Sequence, residues 1–150
     1  YALGDTFSKK NFNINKLSYT SSFLKNNSSY KEKHLYEKKK TIKQKIIKLD
    51  DYIKKKGIKK IDILKIDTQG YELRVLKGAS ENLKKNIIKF IEIEIILGNS
   101  YLGKPSFSKI DSFLSKNNYS LYALNEFVIN EENGQLEFFD ALYKKTNLKL

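Results

Sequence analysis

Two carboxylates in this chain stand where they could do chemistry, Asp67 and Glu94, and each lies toward the end of an apolar run. Asp67 closes Ile61-Asp-Ile-Leu-Lys-Ile-Asp67, in which Ile61, Ile63, Leu64 and Ile66 read as a strand buried between helices. Glu94 belongs to Phe90-Ile-Glu-Ile-Glu-Ile-Ile96, whose alternation sets Glu92 and Glu94 on one side of a sheet. Burying an unpaired carboxylate is costly, so these acids must face solvent, a cation or hydrogen-bond donors. Ligands of open α/β sheets bind at the carboxyl ends of the strands, where Glu94 could share a cleft with Asp67. A carboxylate there can take the proton of a hydroxyl or orient it. If a metal is used, Asp67 and Glu94 would be oxygen ligands, which suit Mg²⁺ better than zinc. Cysteine is absent, and the single histidine, His34, stands in a lysine-rich stretch and is given no role.

The elements that must position these residues follow from the pattern. Tyr1-Ala-Leu-Gly-Asp5 with Phe12, Ile14 and Leu17 suggests the end of a strand and a hairpin, and residues 18–40 read as a polar loop. Thr41–Ile47 reads as a strand, and Leu49-Asp-Asp-Tyr-Ile53 starts a short helix ending at Gly57. After Asp67, Thr68-Gln69-Gly70 makes a turn into a helix over 71–85. There Thr68 is the expected N-cap, Glu72 suits the positive end of the dipole, and Leu73, Leu76 and Leu83 face the sheet. A breaker-rich loop from Gly98 to Phe107 leads to a helix with Ile110, Phe113 and Leu114 on its apolar face. Leu121–Leu124 and Leu136–Tyr143 then read as strands joined through the Asn133-Gly134 turn. The expected core is a parallel pair, 61–67 and 90–96, joined by a right-handed helical crossover, with the last two strands as an antiparallel hairpin beside it.

At 150 residues and 40% hydrophobic content, one globular α/β domain spanning 1–150 is expected. The run Ile87–Leu97 is broken by Lys89, Glu92 and Glu94 and falls short of the ~20 apolar residues of a membrane span. With no signal peptide visible, a cytoplasmic location is expected. A net charge of +12 raises nucleic acid as a partner. Only Arg74 among 29 basic residues is arginine, however, whereas phosphate and base recognition favours its bidentate fork. The lysine clusters are therefore read as solvated faces, and no nucleic-acid partner is expected.

The run Leu64-Lys-Ile-Asp-Thr-Gln-Gly-Tyr-Glu-Leu-Arg-Val-Leu-Lys-Gly-Ala79 closely resembles the signature of the FkbM-type methyltransferases, S-adenosylmethionine-dependent enzymes that mostly methylate hydroxyl oxygens. Tyr101, Gly103, Pro105 and Phe107 reproduce a second motif of one branch of that family, and Gly134 with Asp140-Ala-Leu142 a third. The resemblance implies a class I, Rossmann-like methyltransferase sheet, of which this chain carries the second half only. It also implies S-adenosylmethionine as cofactor, with Ala2, Leu3, Gly4 and Asp5 near its adenine. It makes Asp67, Glu94 and Lys65 the catalytic candidates, and leaves open whether a divalent metal held by Asp67 and Glu94 takes part.

No glycine-rich strand–turn–helix of the kind that cradles this cofactor is present, so the chain is expected to be an inactive fragment of a longer enzyme with one exposed strand edge. For the acceptor, Gln69, Tyr71 and Tyr101 are the main candidates, with Tyr19, Ser21, Ser22 and Asn99 around them. Aromatic faces combined with hydroxyl and amide groups suit a glycan or other polyhydroxylated small molecule. Two alternatives stand beside the methyltransferase: a non-catalytic interaction module that keeps the half-fold, and a basic nucleic-acid-binding domain.

Overall fold

The computed structural model describes residues 1–146. A short strand β1 (Ala2–Leu3) and the long strands β2 (Ser8–Asn15) and β3 (Lys38–Ile47) form one sheet in the order β1-β3-β2. β3 runs antiparallel to β2 and parallel to β1. This departs from the expectation of a single half-sheet containing residues 41–47. The reason lies in composition: β2 and β3 carry lysine, asparagine and glutamine at successive positions, hence on both faces. Such strands cannot be covered by helices on both sides without burying charge.

Helix α1 (Leu49–Lys56) ends at Gly57, whose φ of 65° gives the left-handed stop that glycine adopts without penalty. Beyond it, β4 (Ile61–Ile66) opens a second sheet. It is followed by helices α2 (Glu72–Lys77) and α3 (Ser80–Lys84), strand β5 (Ile88–Ile96), helix α4 (Phe107–Lys116) and strands β6 (Tyr119–Ile129) and β7 (Leu136–Lys145). The strand order is β4-β5-β7-β6. β4 and β5 are parallel, with Ile63 opposite Phe90 and Lys65 opposite Glu92, while β7 is antiparallel to both its neighbours. The parallel pair and the terminal hairpin thus form as the periodicity predicts, with β7 rather than β6 against β5. Among the described residues β4 pairs on one side only. Ile91, Ile93 and Ile95 of β5 are essentially inaccessible, as are Leu76, Leu83, Ile110 and Leu114 from the helices. At about 1.5–3 kcal/mol for each large side chain fully buried, this cluster is what fixes the helices to the sheet.

Two local expectations are corrected. The helix over 71–85 is two helices, because the chain breaks at Gly78. There the backbone of Gly4 passes so close that a Cβ on Gly78 would stand 2.0 Å from the Gly4 carbonyl oxygen. The second helix is capped from a distance: Asp50 accepts from the amides of Glu81 (3.0 Å) and Asn82 (3.1 Å). Thr68 is not an N-cap, since Tyr71 occupies that position and its side chain makes no capping bond.

Residues 18–40 contain two 3₁₀ turns, Ser18–Thr20 and Lys33–Tyr36, and are tied into the body of the protein. Asn13 and Ser22 exchange backbone hydrogen bonds of 2.8 and 3.0 Å, and Leu102 N–H donates to the Lys25 carbonyl at 2.9 Å. Among the described residues no helix is long and apolar enough to cross a membrane.

The close approach at Gly78 makes a direct prediction. Gly78→Ala should lower the urea-unfolding free energy by about 1–3 kcal/mol, the usual range for forcing a methyl group into a filled site. An unchanged midpoint would show that β1 is free to withdraw from this contact.

Candidate functional site

The turn that carries Asp67 is built around a carboxylate beneath it. Glu72 is 2% exposed, and its Oε1 accepts from the Gly70 amide (2.8 Å), the Thr68 amide (3.2 Å) and the Thr68 hydroxyl (3.2 Å). Burial pushes the Glu72 carboxyl above its ordinary range, and these donors act against that shift. Gln69 at the crest has φ 52°, an uncommon conformation for a residue with a side chain. Its backbone is pinned by Ser22, whose hydroxyl donates to the Gln69 carbonyl at 2.7 Å.

So held, the Gln69 amide nitrogen donates to Asp67 Oδ1 (2.9 Å) and to Glu94 Oε2 (2.8 Å), joining the ends of β4 and β5. Gln69 Oε1 lies 2.9 Å from the Tyr101 hydroxyl, which also lies 2.6 Å from the Thr20 carbonyl and shares its proton between these acceptors. Glu94 is 9% exposed, and burial raises its pKa to about 8, helped by the charges of Asp67, Glu72 and Asp140 and by a hydrogen bond with Asp67. With its pKa raised to about 8, the Glu94 carboxyl keeps its proton at neutral pH, because ionising it in that buried position costs more than holding the proton. Glu94 is therefore the protonated partner, and Asp67 is the acid that reaches the solvent.

Asp67 opens onto a cleft of about 640 Å³ between the two sheets. Leu64, Ile66 and Val75 line it from one side and Ala2, Leu3, Phe12 and Ile14 from the other, with Phe23 and Tyr71 at one end. Lys65 stands on the rim and forms ion pairs with Asp140 (2.5 Å) and Glu92 (2.6 Å). Those pairs, Asp140 first, raise its pKa further, so it remains an ammonium and fixes the acids around it.

The other predicted residues fall into separate groups. Ala2 and Leu3 line the cleft. Gly4 lies behind them, packed on Ile46 and Tyr71. Asp5 binds Arg74 through Oδ2 at 2.6 Å, while its Oδ1 is buried without a partner. Burial raises the Asp5 pKa, but Arg74 outweighs this and the net shift is downward. Tyr19, Ser21, Gln69 and Tyr71 face the cleft, whereas Ser22 and Tyr101 stand behind the turn as supports. Asn99 lies in the loop after β5, where its carbonyl accepts from the Asn27 side chain. Among the described residues no group of three or more histidine, aspartate or glutamate side chains converges as a metal would require. Asp140 and the inward turn of Glu72 were missed by sequence reasoning. Asp140 carried one signal, its place in the third motif.

The sequence model of the methyltransferase FkbM domain matches residues 1–121. No curated protein and no solved structure matches the chain.

Glu94 ties stability to pH with a definite sign. Its folded pKa of about 8 lies above the unfolded value near 4.5, so between these the folded state holds the extra proton. Its contribution is fully present at acid pH and is lost as pH rises toward 8, at a limiting slope of about 1.4 kcal/mol per pH unit. The melting temperature should fall from pH 5 to pH 8, and Glu94→Gln should flatten that fall. Parallel pH profiles for the two proteins would remove Glu94 as its source.

Proposed function

Because the chain belongs to the methyltransferase FkbM domain family, we propose that it forms the acceptor side of an S-adenosylmethionine-dependent transfer of a methyl group to a hydroxyl oxygen. The acceptor we propose is a glycan or a similar polyhydroxylated small molecule. The observation that carries this reading is the Asp67–Glu94 carboxyl pair, bridged by one Gln69 amide at the carboxyl ends of two parallel strands and opening onto a cleft. Several features support it. A reversed strand β7 lodged between β5 and β6 agrees with the second half of a class I methyltransferase sheet. The unpaired edge of β4, with Ile63 60% exposed, agrees with a sheet that is continued by further strands in the working enzyme.

The residues present fit one end of the cofactor. Asp5 Oδ1 is an orphaned buried acceptor of the kind an adenine amino group would satisfy, and Ala2 and Leu3 offer an apolar wall beside it. When bound, the cofactor supplies an electrophilic sulfonium methyl. This chain's residues align the nucleophile and handle its proton, because in-line displacement depends chiefly on near-attack geometry. Asp67 accepts the hydrogen bond of the acceptor hydroxyl and takes its proton as the new bond forms. Glu94, acting through Gln69 and its own contact with Asp67, keeps that carboxylate oriented and is a positioning residue. Tyr19, exposed at the cleft, offers a ring face for sugar C–H groups, and the buried Tyr71 ring, packed on Phe23, closes the cleft beside it.

The test uses methyl-labelled cofactor and the working enzyme in which the sheet is continued beyond β4, with transfer followed to glycan acceptors and to simple alcohols. Asp67→Asn should cut transfer by about 10²-fold or more, the typical scale of a positioned general base, while cofactor binding is retained. Full activity in that variant would remove Asp67 from the mechanism. Label appearing on protein or nucleic acid would overturn the acceptor class.

A further inference from the structure

On the far side of Tyr71 and Phe23 from the cleft lies a second hollow of about 320 Å³, continuous through Leu73, Lys77 and Lys109 with a third of about 390 Å³ between α2 and α4. Six cations line the two hollows, Lys10, Arg74, Lys77, Lys104, Lys109 and Lys116, and no carboxylate lines either. Among the described residues, Arg74 alone of the six has an ion-pair partner, Asp5. Lys10 donates to the neutral Tyr71 hydroxyl at 3.0 Å, and Lys104 to the carbonyls of Ile96 and Leu97. Lys77, Lys109 and Lys116 have no ion pair among the described residues, as is true of most lysines in the chain, and what sets them apart is that they share one concave wall. Asp111, the acid on α4, is engaged by the Tyr143 hydroxyl and lines neither hollow.

Like charges gathered in a concave wall repel one another and lower the stability of the empty site, and an anion reverses both effects. Burial holds Lys104 below its ordinary pKa, against the opposing pull of Glu72 and Glu137. We propose that these hollows bind the phosphate or diphosphate group of a small ligand, next to the aromatic wall shared with the cleft. Their volumes, at the lower end of the roughly 300–1,000 Å³ range of small-molecule pockets, favour a sugar phosphate or free phosphate over a nucleic-acid strand. Lysine point charges suit a rotating phosphate group, and base reading would call on more arginine than this chain has. The inference stands without the methyl-transfer reading, since it concerns binding alone.

Titration calorimetry at low ionic strength tests it with pyrophosphate, a hexose 1-phosphate and the uncharged hexose. Pyrophosphate should bind saturably at one site, and the double variant Lys77→Ala/Lys109→Ala should weaken it about tenfold or more. Lys38→Ala/Lys43→Ala on β3 should leave it unchanged, and thermal melts should show all variants folded. A hexose phosphate that binds more tightly than pyrophosphate, with the plain hexose silent, identifies an esterified ligand. Equal affinities identify free phosphate. No saturable binding, or equal weakening by both double variants, overturns the site. So does a single-stranded oligonucleotide that binds more tightly than pyrophosphate and is not displaced by it.

Discussion

One oxygen atom, Oε1 of Glu72, organises the region on which the rest depends. It collects two amides and a hydroxyl from the turn above it, and so fixes a loop that has no regular structure of its own. With the turn fixed, the uncommon backbone of Gln69 is sustained, and the Gln69 side chain lies across the ends of β4 and β5. A buried carboxylate without donors would cost several kcal/mol, and a turn without the carboxylate would leave the buried Gly70 amide unsatisfied. Each makes the other tolerable.

Charge is sorted about that same turn. On the cleft side, Asp67, Glu72, Glu94 and Asp140 crowd together, and the structure answers with one fixed ammonium, Lys65, and one proton held on Glu94. On the other side, past Tyr71 and Phe23, lysines and Arg74 line a hollow that no carboxylate lines among the described residues. A chain of high positive charge lowers its self-repulsion by spreading that charge evenly over the solvated surface. Here the tertiary fold brings Glu94 and Asp140, 27 and 73 residues beyond Asp67, together with it while gathering cations only a side chain away, so the two hollows differ in the ligand chemistry each can accept.

The polar strands β2 and β3 show how composition limits architecture. Their length and alternation permit a sheet, yet lysines on both faces keep them out of the helix-covered layer. Of the apolar side chains they do carry, Phe12 and Ile14 of β2 form part of the wall of the cleft and Ile46 of β3 joins the core. The segment between these strands is held over the loop after β5 through Asn26, Asn27 and Tyr101, so the second motif of the sequence serves as a strut for the first.

By itself the sequence determined the parallel pair, its helical crossover, the terminal hairpin and the placement of Asp67 at a strand end, because these depend on local periodicity and on where apolar runs stop. It also carried the family signature. Only the tertiary structure decided that Glu72 turns inward to hold the turn, that Tyr101 and Ser22 support Gln69 from behind, and that Lys65 is bound to Asp140, 75 residues away. It decided too that Gly78 is glycine because Gly4 passes against it. Each of these is a contact between residues distant in the chain, set by how strands and helices pack, and spacing along the chain records the partners' types without recording that they meet.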